Sequence, residues 1–199
     1  MAECKNAVNP KHHHRGKSSE GLLDRNSILR NLKITPGEVI LDAGCGNGYM
    51  AKQFARMTGK RGRVYALDPD AVSIGVLKTE TKGTVIEPFV GDMTKETKLA
   101  ASSVDLIYLS MVIHGFSATQ MGGFLKEVKR LLKPDGRLAI VEIKKEDTPF
   151  GPPLDIRVSP EELRQAIHLT PIRSIAVGRY FYMQIFAEGG PLSKRLKER

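Results

Sequence analysis

The segment that most restricts what this chain can fold into is Val39-Ile40-Leu41-Asp42-Ala43-Gly44-Cys45-Gly46-Asn47-Gly48. An apolar run ends in an acid, and glycines at alternate positions lead into a stretch that can form a helix. A short apolar run without alternation suits a parallel strand covered on both faces. Glycines at this density let the backbone turn sharply and let a ligand approach closer than a Cβ would allow. The segment therefore reads as the first strand–loop–helix unit of an open parallel sheet. A glycine-rich loop alone is weak support. Here it lies between a strand and a helix, and Asp68 ends the next strand 20 residues beyond Gly48. A carboxylate at that place can accept hydrogen bonds from both hydroxyls of a ribose.

The rest of the chain continues the alternation. Strands are expected at Arg63–Leu67, Val85–Val90, Val104–Leu109, Arg137–Ile143, Ile175–Val177 and Tyr180–Phe186. Leu22–Leu32 can form a short helix, with Leu22, Leu29 and Leu32 sharing a face. Helices follow the glycine loop, running to about Thr58, and start again from Asp70. Ser117 and Gln120 have capping-box spacing ahead of an apolar stripe through Met121, Phe124, Leu125, Val128, Leu131 and Leu132. Pro134-Asp135-Gly136 reads as a turn. Ser159-Pro160-Glu161-Glu162 starts a further helix, with serine as cap and proline at the first helical position. The fold class is thus α/β: a Rossmann-like, doubly wound, mostly parallel seven-stranded sheet. Its last strand must be antiparallel, because the link around Gly178 is too short for a helical crossover.

Charge narrows the function classes. The net charge of +9 would suit a nucleic-acid partner, but it is concentrated at the ends. Residues 1–33 hold seven Lys/Arg against three acids, and 190–199 hold four against one. This weighs against nucleic acid, although Lys52, Arg56, Lys60, Arg61 and Arg63 form a local basic cluster. The expected organisation is a flexible segment with a short covering helix over 1–33, a catalytic domain over 34–189 and a basic tail over 190–199. The polar N-terminus has no secretory apolar core, no run approaches a membrane span, and Cys4 and Cys45 read as lone thiols. A cytoplasmic location is expected.

Two ligand classes remain for the glycine loop. Dinucleotide sites use G-x-G-x-x-G, with a pyrophosphate at the helix N-terminus. Here the spacing is G-x-G-x-G, and Asp42 lies just before it. An acid there does nothing for a pyrophosphate but attracts a cationic amino group, which favours S-adenosylmethionine. The sequence at this point resembles the class I S-adenosylmethionine-dependent methyltransferases over about residues 35–187. Asp42 through Gly48 resembles the first motif of that family, and Ala66-Leu67-Asp68-Pro69 its ribose-binding acid. Gly91-Asp92-Met93 resembles the segment holding the adenine, and Leu131-Leu132-Lys133-Pro134-Asp135-Gly136-Arg137-Leu138 a further family element. The nearest likeness is to the small ubiquinone/menaquinone-biosynthesis-type, or methyltransferase type 11-like, members. The resemblance implies a cofactor site of Asp42, Gly44, Cys45, Gly46, Asp68, Pro69, Gly91, Asp92 and Met93, with Ser110 near the methionine part and S-adenosylhomocysteine as product.

Leu109-Ser110-Met111-Val112-Ile113-His114-Gly115 ends the fourth strand, where the crevice of such a sheet lies. His114 is the base candidate, since histidine ordinarily titrates near pH 6.5. His12-His13-His14 could form a flap or an unstructured stretch; adjacent histidines in an extended chain point to opposite faces, so no metal site is assigned. Phe150-Gly151-Pro152-Pro153 could border the acceptor. No Asn/Asp-Pro-Pro-aromatic motif or Pro-Cys pair for base methylation is present. The expected acceptor is a small molecule or an exposed protein side chain. The rivals are a nicotinamide-dependent oxidoreductase and a non-catalytic nucleic-acid- or ligand-binding protein on the same fold.

Overall fold

A computed structural model describes residues 21–189. Cys4, the His12-His13-His14 run, the segment before Gly21 and the basic tail lie outside the described residues. The elements in order are α1 (Arg25–Leu32), β1 (Val39–Ala43), α2 (Tyr49–Thr58), β2 (Arg63–Asp68), α3 (Ala71–Glu80), β3 (Ile86–Val90) and β4 (Val104–Ser110). They continue with α4 (Ala118–Leu131), β5 (Leu132–Ile143), α5 (Pro160–Ala166), β6 (Thr170–Ala176) and β7 (Phe181–Ala187). Short 3-10 turns occupy Ile113–Gly115 and Leu154–Ile156.

The seven strands form one sheet in the order β3-β2-β1-β4-β5-β7-β6. β1 to β5 run parallel, and β7 is antiparallel to both β5 and β6. This is the doubly wound arrangement expected from the alternation of strands and helices. Strand order reverses between β1 and β4, and ligands of such sheets bind outside the carboxyl ends at that reversal. Apolar side chains cover both faces. On one, Ile28, Leu32, Met50, Phe54, Ile74 and Leu77 pack against Ile40, Tyr108, Ala139 and Met183. On the other, Phe124, Val128, Leu131 and Leu163 pack against Leu41, Ile107, Leu109, Ile140 and Phe186. Successive residues of a strand point to opposite faces, so a strand buried on both sides is apolar over most of its length. That is why β1 and β4 show no polar alternation.

Both capping boxes form: Ser117 with Gln120 at α4, and Ser159 with Glu162 at α5. Three boundaries differ from expectation. α1 starts at Arg25 because Asp24 caps it, accepting from the Ser27 amide at 2.9 Å, and Leu22 stays exposed outside the helix. Pro134-Asp135-Gly136 lies inside β5 rather than forming a turn ahead of it. The β4–β5 register passes from Val104↔Leu132 to Leu106↔Arg137, so these residues bulge out of the ladder, where a proline costs no hydrogen bond. β6 begins at Thr170, five residues earlier than its apolar core suggested, and tolerates Pro171 because it is an edge strand.

Candidate active site at the carboxyl ends of the strands

The glycine loop joins β1 to α2 with Gly44, Gly46 and Gly48 all at positive φ, +78°, +51° and +73°. Substitution is blocked by space as well as by backbone at two of them. A Cβ on Gly44 would lie 2.5 Å from Val112 Cγ2, and one on Gly48 would enter the Leu77 side chain. The loop is tied to β2: the Gly44 and Cys45 amides both donate to Leu67 O, at 2.7 and 3.0 Å.

Asp68, at the end of β2, holds the loop directly. Its Oδ2 accepts from the Gly46 amide at 2.8 Å, and its Oδ1 accepts from the Asp70 amide at 2.9 Å. The exposed Pro69 between them leads into α3, which Asp70 caps through Val72 N. A carboxylate has about four acceptor sites, so Asp68 keeps capacity for further donors. The Gly91 amide donates to Asp68 O at 3.1 Å, which brings the end of β3 to the same place. Asp92 Oδ1 accepts from both the amide and the hydroxyl of Thr94, at 2.9 and 2.7 Å. Burial alone would raise the Asp92 carboxyl, but those bonds and the nearby Lys95 outweigh it and leave the group below its ordinary range. Met93 is buried against Leu41, Ala43 and Leu67. The following loop is pinned by α4, where Gly123 lies so close to Thr94 O that a Cβ would overlap it.

Beneath the loop lies an unusual polar group. Asp42 Oδ2, Tyr108 Oη and Ser110 Oγ are all buried with no hydrogen-bond partner. Asp42 and Tyr108 face each other across the β1–β4 ladder, and Ser110 lies two residues further along β4 on the same face. Burial, together with the Asp68 charge, pushes the Asp42 carboxyl up to about 7, opposed in part by the Ala51 amide. Burial likewise raises the Tyr108 hydroxyl, with the neighbouring Ser110 hydroxyl opposing the shift and the Asp42 charge adding to it. The Cys45 thiol is raised by burial and by both acids, so it is held in the unreactive form, free of any disulfide.

His114 lies in the 3-10 turn after β4, close to the end of β5. Its Nδ1 is 2.8 Å from Glu142 Oε2, and Glu142 Oε1 accepts from the Ile113 amide at 2.9 Å. Glu142 is 1% exposed. The loop after β5 is held by Arg157, also buried, whose guanidinium donates to the carbonyls of Lys144, Glu146, Phe150 and Pro152. Phe150 packs on Tyr180 and Phe181, with centroids 5.4 and 6.1 Å apart.

Asp42, the glycine loop, Asp68, Gly91 and Ser110 thus meet around the reversal between β1 and β4, with His114 one turn beyond. Sequence reasoning missed Tyr108, Glu142 and Arg157. A signal for the first two existed: each is a polar side chain within an otherwise apolar strand core. Part of the basic cluster is neutralised, since Lys52 pairs with Glu80 at 2.7 Å and Arg63 with Glu87 at 3.1 Å. Among the described residues no helix is long and apolar enough to cross a membrane.

The chain resembles known proteins in both sequence and fold. Residues 40–136 match the family model described as a methyltransferase domain. An uncharacterized methyltransferase of Synechocystis sp. is 29% identical over 133 residues, covering 64% of this chain and 58% of the relative. The ubiquinone/menaquinone biosynthesis C-methyltransferase of Laribacter hongkongensis is 28% identical over 130 residues, covering 64% and 52%. The chain therefore spans only between half and three-fifths of those relatives' lengths. The crystal structure of a SAM dependent methyltransferase from Aquifex aeolicus superposes with a TM-score of 0.76 at 27% identity, covering 87% of this chain and 94% of that one.

Proposed function

Because this chain belongs to the class I S-adenosylmethionine-dependent methyltransferases, we propose that it transfers a methyl group to a small-molecule acceptor bound at the carboxyl ends of β4 and β5. The observation that carries the reading is the partnerless Asp42 oxygen, buried beside Tyr108 and Ser110 under the glycine loop. An unsatisfied buried acceptor costs about 1–3 kcal/mol, and an ammonium group relieves it. An anionic pyrophosphate would instead be repelled, which disfavours the nicotinamide alternative.

The residues present fit S-adenosylmethionine. Asp42 takes the amino group of the methionine part, with Ser110 beside it. Asp68 accepts from the ribose hydroxyls through sites not used by Gly46 and Asp70, and Pro69 borders that subsite. Gly44, Cys45 and Gly46 line the crevice with backbone. Gly91, Asp92 and Met93 receive the adenine, Asp92 accepting from its exocyclic amine. When bound, the cofactor supplies an electrophilic methyl on sulfur and leaves as S-adenosylhomocysteine. The chain's own part is to align the acceptor, exclude water and take up a proton, for which His114 is the base.

The name of the Laribacter relative suggests a quinone-type ring as acceptor. A protein side chain is the less supported acceptor, and a cytoplasmic site of action is part of the same proposal. Isothermal titration tests the reading. Adenosylhomocysteine should bind and nicotinamide dinucleotides should not; the reverse result would overturn it.

A further inference from the structure

We propose that Tyr108 is a positioning residue for the cofactor, its buried hydroxyl orienting Asp42 towards the amino group of the methionine part. This rests on the methyltransferase reading above and adds to the same site a residue that the sequence did not single out. Four buried side-chain oxygens lack a hydrogen-bond partner among the described residues. Three of them, Asp42 Oδ2, Tyr108 Oη and Ser110 Oγ, belong to one face of β1 and β4. The fourth, on Glu188, lies at the other end of the sheet, where the Glu188 amide donates to Gly136 O. Asp42 and Tyr108 are register partners, and the outer neighbours are Ala66 beside Asp42 and Ala139 beside Tyr108. Ser110 has Val141 as its neighbour on β5. No other polar side chain stands in the register positions beside them.

Packing does not account for the hydroxyl. The Tyr108 ring is fully buried and meets Phe54 edge-on with centroids 5.1 Å apart, a contact that phenylalanine would make equally well. A buried hydroxyl without a partner costs stability that phenylalanine would not lose. The hydroxyl gains a strong partner only when a charged acceptor forms beside it. Burial and the Asp68 charge favour the neutral Asp42 carboxyl as long as no cation is near. An ammonium group entering under the glycine loop supplies the missing positive charge and makes the carboxylate the stable form. An ionised carboxylate accepts at both oxygens, and hydrogen bonds to it are about twice as strong as neutral ones. The Tyr108 O–H then donates to Asp42 Oδ2, with the Ser110 O–H as donor to Tyr108 Oη. The remaining lone pairs of Asp42 stay aimed at the ammonium. Without the phenol the carboxylate is free to turn, and part of the ammonium's binding is lost.

The Y108F variant removes the hydroxyl and keeps the ring. In isothermal titration its affinity for adenosylhomocysteine should fall about 10–100-fold, the range for a hydrogen bond to a charged group. Methylthioadenosine has the same nucleoside and sulfur but no amino-acid part, and it should bind Y108F and the wild type alike. The guanidinium midpoint of the unliganded protein should not fall, because no hydrogen bond is lost. In a D42N background the Y108F change should alter adenosylhomocysteine affinity by less than about 2-fold, since a residue acting through Asp42 has no carboxylate left to orient. A merely structural role would lower the unliganded midpoint and weaken both ligands together, and that result overturns the proposal. So does an unchanged adenosylhomocysteine affinity in Y108F, or a loss that persists in full in the D42N background. A wild type that binds neither compound would sink the methyltransferase reading and this role with it. Wild-type binding of adenosylhomocysteine that Y108F matches removes Tyr108 alone.

Discussion

The substitution Asp42→Asn isolates the strain stored beneath the glycine loop. The carboxyl is raised from an ordinary 3.8 to about 7, chiefly by burial. A carboxyl raised on folding binds its proton more tightly in the native state, so stability is lost as pH climbs from the unfolded value towards the folded one. The penalty begins near pH 4 and is complete a little above pH 7. At about 1.36 kcal/mol per unit it reaches about 4 kcal/mol, of which about 1.5 is already present at pH 5. Asparagine has no such titration. Its own burial cost is the same at every pH and cancels in a difference. The stability of D42N relative to the wild type should therefore be about 2–3 kcal/mol more favourable at pH 8 than at pH 5. Guanidinium unfolding at the two pH values measures this directly. With adenosylhomocysteine the sign reverses, because its ammonium group compensates the ionised Asp42. The variant should then lose about 1.5–3 kcal/mol of binding, the worth of a hydrogen bond to a charged group. A relative stability that does not move between pH 5 and pH 8, together with undiminished adenosylhomocysteine affinity, would refute both the raised carboxyl and its partner.

Other residues give sharper local tests. Asp68→Ala should weaken adenosylhomocysteine binding by about 1.5–3 kcal/mol in titration and speed hydrogen exchange at the Gly46 amide; unchanged affinity would remove Asp68 from the site. Gly123→Ala should push Thr94 and the Asp92 loop away from α4, lowering stability by about 1–3 kcal/mol, the usual cost of overpacking, and weakening the binding of adenosine itself. Normal adenosine binding in a folded G123A protein would show that the loop does not need this contact. Arg157→Met removes a buried guanidinium shared by four carbonyls and should expose residues 144–157 to proteolysis while leaving adenosylhomocysteine binding intact. Resistance equal to the wild type would mean that Phe150 and its aromatic neighbours hold the loop unaided.

The sequence displayed the proposed cofactor half of the site far better than the proposed acceptor half, for a physical reason. A loop that crosses three left-handed backbone positions must use glycine, and a strand end facing a crevice can carry an acid, so Gly44, Gly46, Gly48, Asp42 and Asp68 stand out by residue type alone. The capping boxes at Ser117 and Ser159 are equally local and equally visible. Glu142 and Arg157 act at a distance: one reaches His114 from 28 residues away, and the other collects carbonyls from a loop whose path is set by tertiary packing. The same limit applies to Pro134-Asp135-Gly136. Local preference reads a turn there, whereas pairing with β4 carries the strand through it as a bulge. β6 started early because an edge strand accepts Pro171, and edge position is a property of the whole sheet.

The place of β7 between β5 and β6 has a consequence during synthesis. As residues emerge from the ribosome, β5 has β4 on one side and nothing on the other until Phe181–Ala187 appears. The strand that carries Glu142 must wait as an open edge for its later-made neighbour, and an open edge is an invitation to pair with the wrong chain. Shortening the time between the making of β5 and of β7, or supplying a chaperone over that interval, should raise the yield of native protein more than any change to the strands that are completed first.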